Sequence, residues 1–174
     1  MAGVDKFVGN WTYRSFNNDP DIDKSPDELV FAIAELKFEA GRSDDPSASQ
    51  AADDMSAELA QGDDMSAELI SFGNDISGKL SFQTGLYLTV SGKAASGKPP
   101  TIRWRAVGVA GTSTAGWIYD FLGYLAPSWP KGDKQRPAIV GTVIRTVAHK
   151  AIGSDEVRPA GVTGSLIAVL RDRS

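Results

Sequence analysis

Tyr119, Asp120 and Tyr124 stand close together in the segment Trp117 to Leu125, and proton chemistry in this chain would rest on them. A carboxyl lodged among aromatic rings has its pKa raised by desolvation and can then act as general acid or base, and a phenol can take part as proton donor. Around them, Trp104, Trp117 and Phe121, with Trp129 in the loop that follows, offer the flat apolar surfaces that line small-molecule pockets. Two readings are open. One is binding of a small apolar or aromatic molecule by Trp104, Trp117, Tyr119, Phe121 and Trp129. The other is a cofactor-free cyclase or isomerase that folds a flexible substrate and uses Tyr119, Asp120 or Tyr124 for proton transfer. A filled scaffold with no cavity is a third, so whether the chain is an enzyme stays undecided here.

The elements that must position these side chains are strands. Apolar residues alternate with polar ones at period two, and Gly, Pro, Asn and Asp interrupt the pattern. Eight segments emerge: Phe7 to Phe16, Leu29 to Glu39, Ile76 to Phe82, Leu86 to Lys93, Thr101 to Ala110, Gly116 to Leu125, Pro137 to Val147 and Gly161 to Arg171. The parity of the second is ambiguous and allows a bulge. In the fifth, Ile102, Trp104 and Ala106 alternate against Arg103 and Arg105, which sets one face in a core and one in water. Short connections with hardly any helix-period pattern favour an antiparallel up-and-down meander, and eight such strands close into a barrel. Gly9-Asn10-Trp11 opens the first segment and Arg171 ends the last, so contact between Trp11 and Arg171 would mark closure. Trp104, Trp117, Tyr119 and Phe121 are expected inside with Ile102, Leu80, Phe82, Leu88 and Val140, and Trp129 near the open mouth.

Other chemistries are narrowed by composition. The chain has no Cys and a single His, His149, which excludes thiol nucleophiles and makes a transition-metal site improbable on its face; no metal and no cofactor are expected. His149 follows the seventh segment, after Thr146-Val147-Ala148, and reads as a solvated loop residue near a barrel mouth. Arg103, Arg105 and Arg145 read as exterior charges, although one inward Arg would recognise a carboxylate bidentately. The glycines scattered through the strands have no helix-period segment after them and read as curvature, not as a phosphate cradle.

The 174 residues suffice for one sizeable core, so a single β-barrel domain over residues 1–174 is expected. Lys and Arg number 18 against 22 Asp and Glu, a net charge of −4 that offers no basic field for nucleic acid. No apolar run reaches the roughly 18 residues of a membrane helix, and no signal peptide is read at the start; no membrane partner and a cytoplasmic location are expected. A mobile acidic insert is expected at about 42–64, where Asp53-Asp54-Met55-Ser56-Ala57-Glu58-Leu59 begins a duplication that recurs as Asp63-Asp64-Met65-Ser66-Ala67-Glu68-Leu69. The seventh and eighth segments are apolar on both faces, and a barrel strand has only one face inside. A homodimer or homotetramer covering the other face is therefore expected.

With an N-terminal Gly-x-Trp, seven further strands in up-and-down order and a basic residue ending the last, the chain resembles the calycin superfamily of lipocalins, fatty-acid-binding proteins and avidins. The resemblance implies an all-β, eight-stranded antiparallel barrel whose closed end is plugged by Trp11, with Arg171 stacked across it as a cation–π contact. Tyr13 stands where avidins carry a biotin-binding Asn, which disfavours biotin. A fatty-acid-binding Arg and Tyr pair in recognisable spacing near the C-terminus is not found.

Overall fold

A computed structural model describes residues 4–21, 23–41, 74–82 and 85–173. The strands are β1 (Gly9–Asn17), β2 (Val30–Ala40), β3 (Asn74–Phe82), β4 (Tyr87–Ala95), β5 (Thr101–Gly108), β6 (Ile118–Leu125), β7 (Ala138–Arg145), β8 (His149–Lys150), β9 (Val157–Arg158) and β10 (Thr163–Asp172). Eight of them close into an antiparallel up-and-down barrel in the order β1-β10-β7-β6-β5-β4-β3-β2, and β8 and β9 form a separate ribbon. Closure leaves the eight barrel strands without an open edge, the usual liability of an open sheet. The expected acidic insert and the repeated Asp-Asp-Met-Ser-Ala-Glu-Leu segments lie outside the described residues. Among the described residues, no helix is long and apolar enough to cross a membrane.

Alternation decides which side chains are inside. Trp11 and Tyr13 of β1, Ala34, Leu36 and Phe38 of β2, and Ile102, Trp104 and Ala106 of β5 are all buried, with charged or polar neighbours between them. On β6 the same rule turns Tyr119 and Phe121 inward and Asp120, Leu122 and Tyr124 outward. Val140 departs from expectation. Ile139, Val143 and Arg145 face the interior of β7, so Val140 points out, where it pairs across the sheet with Tyr124 and Ile167. Both parities of β7 are apolar, and only its neighbours' register decides between them.

One end of the barrel is closed. A short 3-10 turn at Val4–Lys6 carries Phe7 beneath the barrel, and the Trp11 indole N–H donates to the Phe7 carbonyl at 2.8 Å. Trp11 thus plugs this end, but Arg171 does not stack on it. Trp11 pairs with Leu170 and Asn10 with Asp172, so Arg171 is the extra residue of a bulge and projects outward, where it pairs with Glu35. Arg173 instead ties the end of the chain to the 3-10 turn, donating to the Asp5 carbonyl at 2.6 Å.

Above the plug, Trp104 lies parallel to Phe121, centroids 4.7 Å apart and planes 5° off, with Phe38 edge-on to Trp104 and Tyr13 edge-on to Phe121. Gly92 and Gly123 make room for Trp104. A Cβ on Gly92 would come within 2.7 Å of the Trp104 Cβ, and one on Gly123 within 3.3 Å of the indole ring. This aromatic layer fills the closed half of the barrel.

Candidate functional site

The opposite half is open. A cavity of about 670 Å³ reaches the surface at the ends of β1, β3 and β7 and the starts of β2, β4 and β6. Its wall is aromatic and apolar: Phe31, Leu80, Phe82, Leu88, Trp117, Tyr119 and Phe121, with Val143 on the β7 side. Phe31 enters this wall through a bulge. Ser15 pairs with Ala32 and Phe16 with Val30, which leaves Phe31 unpaired and brings its ring to 6.0 Å from Tyr119, edge to face.

Polar groups converge at one side of the mouth, where the chain between β7 and β10 folds into the β8–β9 ribbon. The ribbon sets the His149 ring on Trp117, centroids 4.2 Å apart, and places its Nε2 2.6 Å from the Tyr119 hydroxyl. His149 Nδ1 lies 3.0 Å from the Lys150 carbonyl, which can only accept. Nδ1 therefore carries the proton, and Nε2 accepts from Tyr119. Burial lowers the His149 pKa; the nearby charges of Arg145 and Arg158 push the same way against the opposing bond to Lys150, so the ring is neutral at pH 7. Burial raises the Tyr119 pKa, partly offset by Arg145, and keeps the phenol protonated. Arg145, at the end of β7, is 6% exposed and donates from Nη1 to the Pro159 carbonyl at 3.0 Å.

The residues expected to act together are separated. Trp117, Tyr119 and Phe121 line the cavity, whereas Trp104 lies beneath Phe121, buried in the closed half. Trp129 is 77% exposed and sits on the β6–β7 connection, at the Trp11 end and not, as expected, near the mouth. Its location follows from strand direction, because β6 runs from the mouth toward the closed end. Asp120 and Tyr124 lie on the outer wall, since their positions alternate with Tyr119 and Phe121. There Asp120 accepts two bonds from Arg105, Nε to Oδ1 at 2.6 Å and Nη2 to Oδ2 at 2.8 Å. The interior carboxylate expected of an acid or base is thus tied down outside the barrel.

Sequence reasoning missed His149 and Arg145 as cavity residues. The His149 ribbon has two residues per strand, too short for a period to register, although Gly153-Ser154-Asp155 between its arms is a readable turn signal. Comparison of the chain with protein-family models, with curated proteins and with solved structures gives no match.

Proposed function

We propose that this protein binds a small apolar or aromatic molecule inside the open half of a calycin-like barrel. The observation that carries the reading is the cavity of about 670 Å³ walled by Phe31, Phe82, Trp117 and Tyr119, since a filled scaffold would leave no such space. The calycin likeness is supported by the eight-stranded closure and by Trp11 over a 3-10 turn at the closed end. A cytoplasmic location belongs to the same proposal. Titration with the neutral fluorophore N-phenylnaphthylamine should quench tryptophan emission, and replacing Trp117 by Leu should weaken binding. Native mass spectrometry that finds the purified chain empty, together with no response to the fluorophore, would remove the reading.

The second reading, a cofactor-free cyclase or isomerase, is favoured by the bond from Tyr119 to a neutral His149 at the cavity wall. With the neutral imidazole as base, the Tyr119 oxygen can take a proton from bound substrate as its own proton passes to Nε2, and the reverse transfer returns a proton to another atom of the substrate. Asp120 and Tyr124 have no part in it, being outside. Loss of turnover in Tyr119→Phe with unchanged binding would support the enzyme, and binding without any turnover the carrier.

We also propose that the barrel self-associates as a homodimer or homotetramer. Support comes from the outer face of β6, β7 and β10, where Leu122 is 50% exposed, Tyr124 43%, Ile144 36% and Ile167 38%. Tyr124, Val140 and Ile167 lie side by side across the three strands. An apolar strip of this kind, bordered by Arg14 and interrupted by Thr142, is the sort of surface that monomers rarely leave bare.

A further inference from the structure

Among the described residues, Arg145 is a buried guanidinium with no carboxylate counter-ion. It is 6% exposed at the C-terminal end of β7, beside the cavity mouth, and its guanidinium lies 5.2 Å from the centroid of the Phe31 ring. Nη1 donates to the Pro159 carbonyl and the guanidinium also hydrogen-bonds the Tyr119 side chain, but Nε is buried with no hydrogen-bond partner. Among the described residues, no carboxylate forms an ion pair with it. Glu156, which lines the same cavity, is engaged by Arg158 at 3.3 Å. A buried charge is normally paired, because its lost hydration costs several kcal/mol. A ring face recovers only part of that.

The cavity supplies the place for the missing partner. Arg145 lines it, and Phe31, Trp117 and Tyr119 form the adjoining wall. We propose that the ligand is an amphipathic aromatic carboxylate, its ring body against this wall and its carboxylate on the Nε edge of Arg145. The inference rests on the binding reading above and specifies its ligand class. The guanidinium edge suits a planar anion, and the aromatic wall suits a flat body. His149, neutral and bonded to Tyr119, adds no competing charge.

The test compares two probes that share one body: pyrenebutyrate and pyrenebutanol, each titrated into the wild-type chain and followed by loss of tryptophan emission. Wild type should bind the acid at least about tenfold more tightly than the alcohol, a difference of about 1.4 kcal/mol. Arg145→Met should level the two affinities by weakening the acid alone, and Arg145→Lys should restore part of the preference. Equal wild-type affinities would overturn the carboxylate assignment and leave the cavity reading standing. An acid preference that survives in a folded Arg145→Met would overturn it too. Failure of both probes to bind wild type would instead strike at the cavity reading itself. The wild-type comparison needs no variant, so it decides even if Arg145→Met does not fold.

Discussion

The Tyr119 hydroxyl and His149 Nε2 meet at 2.6 Å across 30 residues of sequence, joining the barrel wall to the ribbon that folds over its mouth. As it stands, the neutral imidazole accepts from the phenol. Protonated Nε2 would become a donor facing a phenol, beside the charges of Arg145 and Arg158.

Stability should therefore fall on mild acidification. The folded His149 pKa lies below the ordinary value near 6.5, so the unfolded chain binds more protons in the window beneath it. The contribution is fully present above about pH 6.5 and is lost as pH falls through the depressed folded value. Urea unfolding at about pH 7.5 and about pH 5 should show a larger loss for wild type than for His149→Gln, in which the carboxylates still titrate. Equal losses would remove the histidine from the account.

Replacing Tyr119 with Phe deletes the hydroxyl while keeping the ring against Phe31 and Trp117. The cost should be about 1 kcal/mol, the usual worth of one hydrogen bond. The His149 pKa, followed by proton NMR of the imidazole, should change in the variant, because Nε2 loses its donor. A pKa identical to wild type would mean that the two groups do not meet in solution.

Trp11 and Arg171 should differ sharply when truncated. Trp11 is fully buried and satisfied by the Phe7 carbonyl, so Trp11→Ala should cost about 3–5 kcal/mol. Arg171 and Glu35 have side chains 50% and 70% exposed, and an ion pair so open to water is worth about 0–1 kcal/mol. Arg171→Ala should leave the melting temperature and the tryptophan emission nearly unchanged. A large spectral shift in that variant would mean that the cation lies on the indole after all.

Gly123 should resist enlargement. A Cβ there would lie 2.8 Å from Ile139 Cγ2 and 3.3 Å from the Trp104 ring, both in the filled half of the barrel. Gly123→Ala should cost about 1–3 kcal/mol through overpacking, read by thermal or chemical unfolding. A neutral result would show that the aromatic layer shifts freely.

Self-association should depend on the outer strip. Sedimentation at micromolar concentration should give a mass above that of one chain, and Ile167→Lys, on a 38% exposed outward position of β10, should return it to one chain without loss of fold. A wild-type monomer would end the proposal.

The barrel was legible because its strands alternate cleanly. Ile102, Trp104 and Ala106 against Arg103 and Arg105 admit only one inward face. In β7 the run Ala138-Ile139-Val140-Gly141-Thr142-Val143-Ile144 is apolar at both parities, so the pattern alone does not tell Val140, which faces out, from Arg145, which shares the inward parity of Ile139 and Val143. The period in β6 likewise puts Tyr119 and Asp120 on opposite faces, and only the register decides which of them turns inward. The misplaced Trp129 had a signal: strands alternate in direction from Trp11 onward, so the sixth must end where the first begins. His149 had almost none. Its place depends on a two-residue pairing with Arg158 and Val157, which carries no periodic trace.

The Trp104–Phe121 stack is the floor of the cavity, and a floor sets a depth. Were an anion held by Arg145, a ligand's length would become the quantity the barrel measures: a body too short leaves wall uncovered, and one too long meets Phe121, stacked on a Trp104 packed close over Gly92 and Gly123. Selectivity among homologous ligands would then show a sharp upper cut-off instead of a gradual decline, and thinning Phe121 to Leu would move that cut-off outward while leaving the headgroup contact unchanged.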